Sequence, residues 1–279
     1  MGKYRSYKSN KNKIRSGARV GEDLNFASAE AYHLLRTNLS FSLPDTHGGK
    51  IIGVTSSCPQ EGKSTTSVNL AYSLSEAGHK VLLIDSDMRR PSICRVLDVD
   101  MAPGLSNLLA GDESDGIIHQ NVLHSGLSAL MSGDIPPNPS ELISSERMKS
   151  TLEGFREQYD YVIIDLPPVN LVSDPLAMSK YVDGVVVVVR HTKTRKKELL
   201  ETVRQLRFVG VNILGFVYNG YKKGKGDYYT AHGKYEYYSS SNRAKMQKNG
   251  HAEQVSESAE ATTADEAATQ TEIASEDQE

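Results

Sequence analysis

One stretch restricts the fold of this chain more than any other, the run from Ser56 to Thr65, which reads Ser-Ser-Cys-Pro-Gln-Glu-Gly-Lys-Ser-Thr. An apolar run typical of a β-strand precedes it, and a segment typical of a helix follows as far as Ala77. A strand, a glycine-bearing loop and a helix in this order form a phosphate-binding loop, in which backbone N–H groups and the helix N-terminus face the phosphates. We predict that the following residues bind a nucleotide: Ser57, Cys58, Pro59, Gln60, Glu61, Gly62, Lys63, Ser64 and Thr65.

Two side chains of this loop have chemical roles that the pattern predicts. Lys63 is expected to reach the β- and γ-phosphates, and the Ser64 hydroxyl is placed to bind Mg²⁺. The sequence departs from G-x-x-x-x-G-K-[ST] at its first glycine, which is Ser57. Gly62 remains where the backbone must approach the phosphates closely. A glycine-bearing turn without a ligand is the alternative interpretation of the loop by itself.

Short apolar runs alternate with helix-period segments through the middle of the chain. These runs are continuous in Val, Ile and Leu, as expected for parallel strands that are buried on both faces. We therefore predict an α/β fold of the P-loop NTPase type, doubly wound, with a mostly parallel sheet and helices on both faces. The predicted strands are 51–56, 80–85, 127–131, 160–165, 184–190 and 213–218. The predicted helices are about 27–42, 64–77, about 140–156, 174–180 and 195–208.

Acidic residues follow two of the predicted strands. The run Val81–Ile84 leads into Asp85 and Asp87, and the run Tyr161–Ile164 leads into Asp165. An aspartate that ends an apolar strand is the Walker B pattern, whose carboxylate holds Mg²⁺ directly or through water. Side chains two residues apart in a strand project to the same side, so we expect Asp85 and Asp87 to face one pocket. Their repulsion would be relieved by Mg²⁺·ATP, with one carboxylate left as a base.

The two ends of the chain carry opposite charge, although the net charge is only −3. Residues 1–19 hold seven Lys and Arg and no acid, whereas residues 251–279 hold nine Asp and Glu and no Lys or Arg. We predict a flexible basic arm over 1–25, a P-loop domain over 26–220, a tyrosine-rich segment over 221–238 and a disordered acidic tail over 239–279. Two cysteines and no apolar leader favour a cytoplasmic location.

A cluster of tyrosines follows the last predicted strand. The chain has 14 Tyr against 5 Phe and no Trp. The polar spacers around the cluster give its rings no apolar periodicity, so a core role is disfavoured. A nucleic-acid stacking tail and a low-complexity segment are alternatives, but we favour acceptors of phosphate and expect no nucleic-acid partner. The predicted acceptors are Tyr221, Tyr228, Tyr229, Tyr235, Tyr237 and Tyr238.

Together these motifs resemble a known family. An apolar strand with Asp-x-Asp-x-Arg after a P-loop, and then an apolar strand with Asp-x-Pro-Pro, is similar to the bacterial tyrosine kinases of capsule and exopolysaccharide synthesis. The segment Gly133–Leu142 resembles the Pro-Pro-Asn-Pro segment of that family, and Glu30–Asn38 resembles its N-terminal helix. The resemblance extends from about residue 28 to residue 238.

The resemblance implies a protein-tyrosine kinase that uses ATP and Mg²⁺ and phosphorylates its own C-terminal tyrosines between subunits. Carried onto this chain, it implies that Asp85 accepts the tyrosine proton and that Ser64, Asp87 and Asp165 place Mg²⁺. It also implies a ring of subunits that is held by a helix with the motif Glu-x-x-Arg-x-x-Arg. The matching residues here are Glu30, His33 and Arg36, so His33 replaces the first arginine. The expected partners are a transmembrane activator that recruits the chain to the plasma membrane and a cognate tyrosine phosphatase.

Two other functions fit parts of the pattern. A partition-type ATPase switch related to ParA and MinD shares the P-loop, the sheet and the Walker B aspartate. Those switches carry a signature lysine at the second position of the P-loop, where this chain has Cys58. A scaffold that binds nucleotide without catalysis is the third possibility, and the presence of Lys63, Asp85, Asp87 and Asp165 together disfavours it.

Overall fold

A twisted sheet of seven strands forms the centre of the computed structural model, which describes residues 19–43, 48–112, 114 and 116–221. The predicted basic arm up to residue 18, five of the six clustered tyrosines and the acidic tail lie outside the described residues. Across the sheet the strand order is β3-β4-β2-β5-β1-β6-β7. The strands are β1 Lys50–Ser56, β2 Val81–Asp85, β3 Ile118–His119, β4 Leu127–Leu130, β5 Tyr161–Asp165, β6 Gly184–Arg190 and β7 Ile213–Asn219.

Eight α-helices surround this sheet within the described residues. They are α1 Phe26–Ser42, α2 Lys63–Glu76, α3 Ile93–Leu97, α4 Leu105–Ala110, α5 Pro139–Ser144, α6 Glu146–Gln158, α7 Asp174–Met178 and α8 Lys196–Phe208. Two 3₁₀ turns, Gly21–Asp23 and Ser179–Tyr181, complete the elements. No helix of this described part is both long enough and apolar enough to cross a bilayer.

The doubly wound α/β prediction is confirmed, because the sheet separates two apolar cores. Ile51 and Ile52 are neighbours in β1, yet Ile51 packs into one core and Ile52 into the other. The Ile51 core includes residues of α4, α6 and α8, whereas the Ile52 core includes residues of α1, α2 and α3. Strands that are buried on both faces in this way need continuous apolar runs, which is the pattern that the sequence shows.

The six predicted strands are all present, and they are parallel to one another. The additional strand β3 is antiparallel to β4 and has only two residues. The predicted helix over 140–156 is wrong in one respect, since it is two helices that are separated at Ser145. Ser145 has an extended backbone, and its Oγ accepts a hydrogen bond from the Met148 N–H at 3.1 Å, which caps α6.

The topology brings the carboxyl ends of β1, β5 and β2 side by side at the centre of the sheet. In register, Val54 of β1 lies beside Asp165 of β5, and Asp165 lies beside Asp85 of β2. The P-loop and both acidic motifs therefore meet at one edge, where ligands of open α/β sheets bind.

Candidate active site

The P-loop ends in a helix N-terminus, as predicted. Helix α2 begins at Lys63, and Gly62 before it has φ +98°, a left-handed conformation that favours glycine. A Cβ at this position would also lie 2.0 Å from Nδ2 of Asn219. Gly62 is therefore required both by its backbone conformation and by the close approach of the β7 end.

A buried carboxylate holds the loop in shape from inside. Glu61 is 0% exposed, and its Oε2 accepts a hydrogen bond from the Cys58 N–H at 3.0 Å. The Thr194 hydroxyl donates to its other carboxylate oxygen, and Nδ2 of Asn219 donates to the Glu61 carbonyl at 3.0 Å. Glu61 thus acts on the fold of the loop, and Asn219 supports it from the last strand of the sheet.

The loop departs from the usual pattern at Ser57, and the structure supplies a reason for a hydroxyl there. Ser57 is 0% exposed, and its Oγ accepts a hydrogen bond from the Thr202 hydroxyl of α8 at 2.9 Å. The side chain is therefore directed into the protein. The opposite side of the loop is bound by Arg190, whose Nη1 donates to the Gln60 carbonyl at 2.8 Å.

The Lys63 ammonium lies between two carboxylates. Its Nζ is 3.2 Å from Asp87 Oδ2 and 3.2 Å from Asp165 Oδ2, and all three side chains are nearly or fully buried. Burial by itself lowers the pKa of Lys63, but the Asp165 and Asp87 carboxylates outweigh that effect and raise it. Lys63 is therefore charged at neutral pH, and its charge compensates the buried aspartates.

Asp165 is the most extensively bonded group of the site. The Ser64 hydroxyl donates to its Oδ2 at 2.6 Å, and the Ser67 hydroxyl donates to its Oδ1 at 3.0 Å. Burial raises the pKa of Asp165, which the neighbouring Lys63 opposes most strongly. A further hydroxyl, that of Ser92, donates to Ser64 Oγ at 2.7 Å. Ser67 and Ser92 were not among the predicted site residues, although Ser67 is one helical turn after Ser64.

The structure separates Asp85 from Asp87, which we expected to face one pocket. Strand β2 ends at Asp85, so the chain turns before Asp87 and the two-residue rule no longer applies. Asp85 Oδ2 accepts the N–H groups of Ser92 and Ile93 at 3.1 and 3.0 Å, and its Oδ1 accepts the Asp87 N–H at 3.2 Å. Asp87, and not Asp85, lines the adjoining cavity.

Burial, with a further contribution from the adjacent Asp165 carboxylate, raises the pKa of Asp85 to about 7. The backbone N–H groups of Ile93 and Ser92 and the Lys63 ammonium oppose this rise in pKa, because they favour the charged carboxylate. In this structure the group acts as an anchor, because its oxygens accept backbone N–H groups from the turn that carries Asp87.

A cavity of about 820 Å³ opens over this network. Its lining includes P-loop residues between Pro59 and Thr65 other than the buried Glu61, together with Arg190 at the end of β6. Residues of the segment after β2, from Asp87 to Val96, form the part of the lining that we call the β2-side wall. Residues that follow β5, among them Pro168, Leu171 and Val172, also line the cavity. The cavity therefore combines donors for phosphate groups with an apolar surface.

The residues at the base of this cavity fit Mg²⁺ in the presence of a phosphate ligand. Hard oxygen donors are available from the Ser64 hydroxyl and from the Asp87 and Asp165 carboxylates, which converge around the Lys63 ammonium. Within the described residues no group of three or more His, Cys, Asp or Glu forms a metal site by itself. Mg²⁺ does not require one, because it commonly uses one or two carboxylates with phosphates and waters.

Arg89, of the Asp-x-Asp-x-Arg motif, lines the cavity, but its side-chain hydrogen bonds are to α5 and α7. Its Nε donates to Asp174 Oδ2 at 2.9 Å, and its Nη2 donates to Ser140 Oγ at 2.9 Å. The Ser140 hydroxyl in turn donates to Asp174 Oδ1 at 2.6 Å. Arg89 thus links the segment after β2 to α5 and α7. Nothing in the sequence around Asp174 predicted this contact.

The predicted assembly residues Glu30, His33 and Arg36 lie on α1, and His33 and Arg36 contact α2 within the same chain. His33 Nδ1 is 3.2 Å from Glu30 Oε1, and His33 Nε2 is 3.0 Å from Glu76 Oε2. Arg36 Nη1 donates to the Ser73 carbonyl. Of the clustered tyrosines only Tyr221 is described, and its ring is 51% exposed.

Comparisons with known proteins identify the family of this chain. Residues 49–209, more than half of the chain, match a family model described as an AAA domain. The tyrosine-protein kinase YwqD of Bacillus subtilis is 37% identical over 206 residues, which cover 74% of this chain and 86% of the relative. The tyrosine-protein kinase ptk of Acinetobacter johnsonii is 36% identical over 199 residues, which cover 71% of this chain. The chain spans only about a quarter of that longer relative, since the match covers 27% of it.

Solved structures show the same likeness. The kinase domain of the Escherichia coli tyrosine kinase ETK is 35% identical, with a TM-score of 0.65 over 70% of this chain and 80% of that one. The septum site-determining protein MinD of Pyrococcus horikoshii, solved with Mg-ADP, is 24% identical with a TM-score of 0.53 over 63% of this chain and 72% of that one, and it shares the fold. With its P-loop, its two acidic strand ends and a relative covered almost in full, the chain belongs to the bacterial tyrosine-protein kinases.

Proposed function

We propose that the chain transfers the γ-phosphate of ATP to tyrosine hydroxyls, including those of its own C-terminal cluster. The observation that carries this proposal is the convergence of Lys63, Ser64, Asp87 and Asp165 beneath an open cavity at the P-loop. The tyrosine oxygen would bond to the γ-phosphorus, the bond between that phosphorus and ADP would break, and the phenolic proton would pass to a carboxylate. ATP supplies the phosphoryl group, and no oxidant or reductant is required.

We propose that the phosphates displace Lys63 from the carboxylates. The Lys63 ammonium and the N–H groups at the start of α2 would then hold the β- and γ-phosphates. When bound, Mg²⁺ supplies a cation that neutralises the phosphates and takes over the compensation of Asp87 and Asp165. This exchange of partners explains why a single ammonium in the described site lies between two buried carboxylates.

The family resemblance implies that Asp85 accepts the tyrosine proton. The contacts of Asp85 and Asp87 support a different assignment. Both Asp85 oxygens accept backbone N–H groups and the side chain has no exposed surface, whereas Asp87 lines the cavity. A proton acceptor must come within about 3 Å of the reacting hydroxyl. We therefore propose that Asp87 is the carboxylate at the acceptor and that Asp85 positions the turn that carries it.

The variants Asp85→Asn and Asp87→Asn test this division. Both are expected to suppress phosphotyrosine formation by at least about 100-fold, since each changes the charge or the position of the group at the reacting atoms. Only Asp85→Asn is expected to lower the melting temperature markedly, because the new amide N–H group would face backbone donors. Mg²⁺ is expected to increase the affinity of the wild type for a fluorescent nucleotide. Only Asp87→Asn is expected to reduce this increase. Equal effects of the two variants on both measurements would contradict the division.

A partition-type ATPase without kinase activity is the second candidate, and the likeness to the MinD fold favours it. It predicts ATP hydrolysis without phosphotyrosine. Cys58 stands at the P-loop position where such switches carry their signature lysine, and this position supports the kinase proposal instead.

We also propose that copies of the chain assemble through α1, and that a membrane-spanning activator of polysaccharide synthesis recruits them. Leu34 lies one turn after Glu30 and is 55% exposed, which supports a contact surface on this helix. The family resemblance supports the activator and a cognate phosphatase as partners. Phosphate groups on the tyrosine cluster would add negative charge and weaken such an assembly.

His33→Arg is expected to strengthen self-association. The His33 imidazole already lies between Glu30 and Glu76, and an arginine there would supply a fixed charge and paired donors to these carboxylates and to a second copy. Light scattering at matched concentration measures the average mass. Asn38→Arg adds the same charge at an exposed position on a different side of α1 and is the control. An unchanged mass in His33→Arg, or an equal increase in both variants, would show that His33 does not control assembly.

A further inference from the structure

The cavity has two ends that differ in chemistry, one on the β2 side of the P-loop and one on the β6 side. The P-loop follows β1, with β6 and β7 on one side of it and β5 and β2 on the other. Lys63 is bonded to Asp165 after β5 and to Asp87 after β2, so the charged centre lies toward the β2 side of the loop. Arg190, at the end of β6, contacts the loop from the other side through the Gln60 carbonyl.

This arrangement determines where an acceptor can enter if the proposed function is correct. The γ-phosphate belongs at the charged centre, where Lys63 and the aspartates converge. The remainder of the nucleotide then extends over the P-loop toward β6. Because the attacking and leaving oxygens of a phosphoryl transfer are roughly in line, the acceptor hydroxyl must approach from the β2 side.

The β2-side wall carries cations that the phosphate cradle does not use. Arg90 is exposed, and its backbone N–H donates to Asp87 Oδ1 at 3.0 Å, which fixes it beside the charged centre. Arg95 is also exposed and lines the same wall from α3. Arg89, by contrast, is committed to Asp174 and Ser140. Arg90 and Arg95 therefore present positive charge to whatever enters at this end.

The cavity lining also includes apolar side chains. Val96 of α3 belongs to the β2-side wall, and Leu171 and Val172 line the cavity from the segment after β5. Leu171 is 55% exposed, so its side chain is accessible to a ligand in the cavity. An apolar surface beside two arginines matches an aromatic ring that is attached to a segment with carboxylates.

We propose that this β2-side end is the acceptor subsite, and that it selects tyrosines with an acidic residue beside them in the sequence. This proposal rests on the proposed function. Within the chain's own cluster, Asp227 precedes Tyr228, and Glu236 lies between Tyr235 and Tyr237. Lys222 and Lys223 follow Tyr221 instead, and Lys234 directly precedes Tyr235. The subsite therefore favours Tyr228 and Tyr237 over Tyr221 as acceptors.

The test compares two peptides and three forms of the full chain. One labelled peptide has the native sequence of residues 226–240, and the other has lysine in place of Asp227 and Glu236. Binding is measured by fluorescence anisotropy in the presence of Mg·ADP, and transfer is measured separately with Mg·ATP. The chains are the wild type, Arg90→Glu and, as a charge-matched control, Arg204→Glu, whose side chain is exposed on α8 and pairs with Glu201.

The wild type and Arg204→Glu are expected to bind the native peptide about two- to fivefold more tightly than the lysine peptide, the size of effect that partly exposed charge pairs give. Arg90→Glu is expected to remove or reverse this preference while affinity for a fluorescent ATP analogue stays unchanged. Equal binding of the two peptides by the wild type would overturn the subsite, as would a loss of ATP affinity in Arg90→Glu. Selective binding without any transfer would instead refute the proposed function and leave the subsite standing.

Discussion

Replacing Lys63 by methionine is expected to abolish phosphotyrosine formation, with a fall in rate of at least about 100-fold. The phosphates would lose the only side-chain cation that the P-loop sequence itself provides. The change also leaves Asp87 and Asp165 without the ammonium that lies 3.2 Å from each. Removing one partner of a buried charge pair commonly costs about 3–5 kcal/mol, so the free energy of unfolding should fall as well.

Two further variants separate catalysis from folding in this experiment. Lys63→Arg keeps a cation beside the carboxylates, so the melting temperature should recover while transfer stays low, because the planar guanidinium cannot replace a compact ammonium at the phosphates. Lys180→Met removes an exposed lysine far along the chain from the P-loop and should behave as the wild type. Phosphotyrosine at a near-wild-type rate in a folded Lys63→Met protein would contradict the P-loop assignment.

Changing the six clustered tyrosines to phenylalanine is expected to remove most autophosphorylation while ATP binding persists. Tyr221 is half exposed beyond the last strand, and the candidate catalytic groups lie on the P-loop, at the end of β5 and in the segment after β2, so ATP binding is not expected to require the hydroxyls of the cluster. The protein should still phosphorylate a Lys63→Met copy that carries an intact cluster. It should also stay more highly assembled with Mg·ATP, since each phosphate would add about −1.5 to −2 charges.

Phosphotyrosine by immunoblot, with peptide mapping, measures this result. A protein in which Tyr4 and Tyr7 are phenylalanine has an intact cluster and serves as the control, with signal expected to remain. Strong autophosphorylation in the six-phenylalanine protein would refute the acceptor role of the cluster. Tyr32, whose pKa is raised by burial against α2, would then be examined with Tyr4 and Tyr7.

Much of the fold was predictable because the apolar runs of the sequence coincide with the strands that are buried in the structure. Strands that are buried on both faces need continuous apolar runs, and Val81–Ile84 and Val185–Val189 are such runs. Short elements were not predictable in this way. Strand β3 has two residues and α3 has five, too few for a period of two or of 3.6 to be recognised.

The candidate site was predictable where its residues end strands or belong to the P-loop. Lys63, Ser64, Asp87 and Asp165 do converge, because parallel strands present their carboxyl ends at one edge of the sheet. The position of Asp85 was not predictable, because it depends on where β2 ends. A rule for alternate residues applies only while the strand continues, and the turn after Asp85 directs its carboxylate to backbone N–H groups.

The support of the loop depends on contacts that no local pattern encodes. The hydroxyls of Thr202 and Ser57 are bonded across 145 residues of sequence, and Asn219 reaches Glu61 across 158. Such pairs arise only after the sheet is assembled, since β6 must first pair with β1, and β7 with β6. The contact of Arg89 with Asp174 also depends on the assembled fold, because Asp174 is buried at the start of α7.

The central claim is that this chain moves phosphate from ATP to tyrosine, and one measurement tests it most directly. The purified full chain is incubated with Mg·ATP labelled at the γ-phosphate, with and without the cytoplasmic tail of a candidate membrane activator, and phosphotyrosine and free phosphate are quantified together. We expect label on tyrosine, more of it with the activator tail, and its loss in Lys63→Met. Release of free phosphate with no label on tyrosine under either condition would contradict the claim and favour the partition-type ATPase.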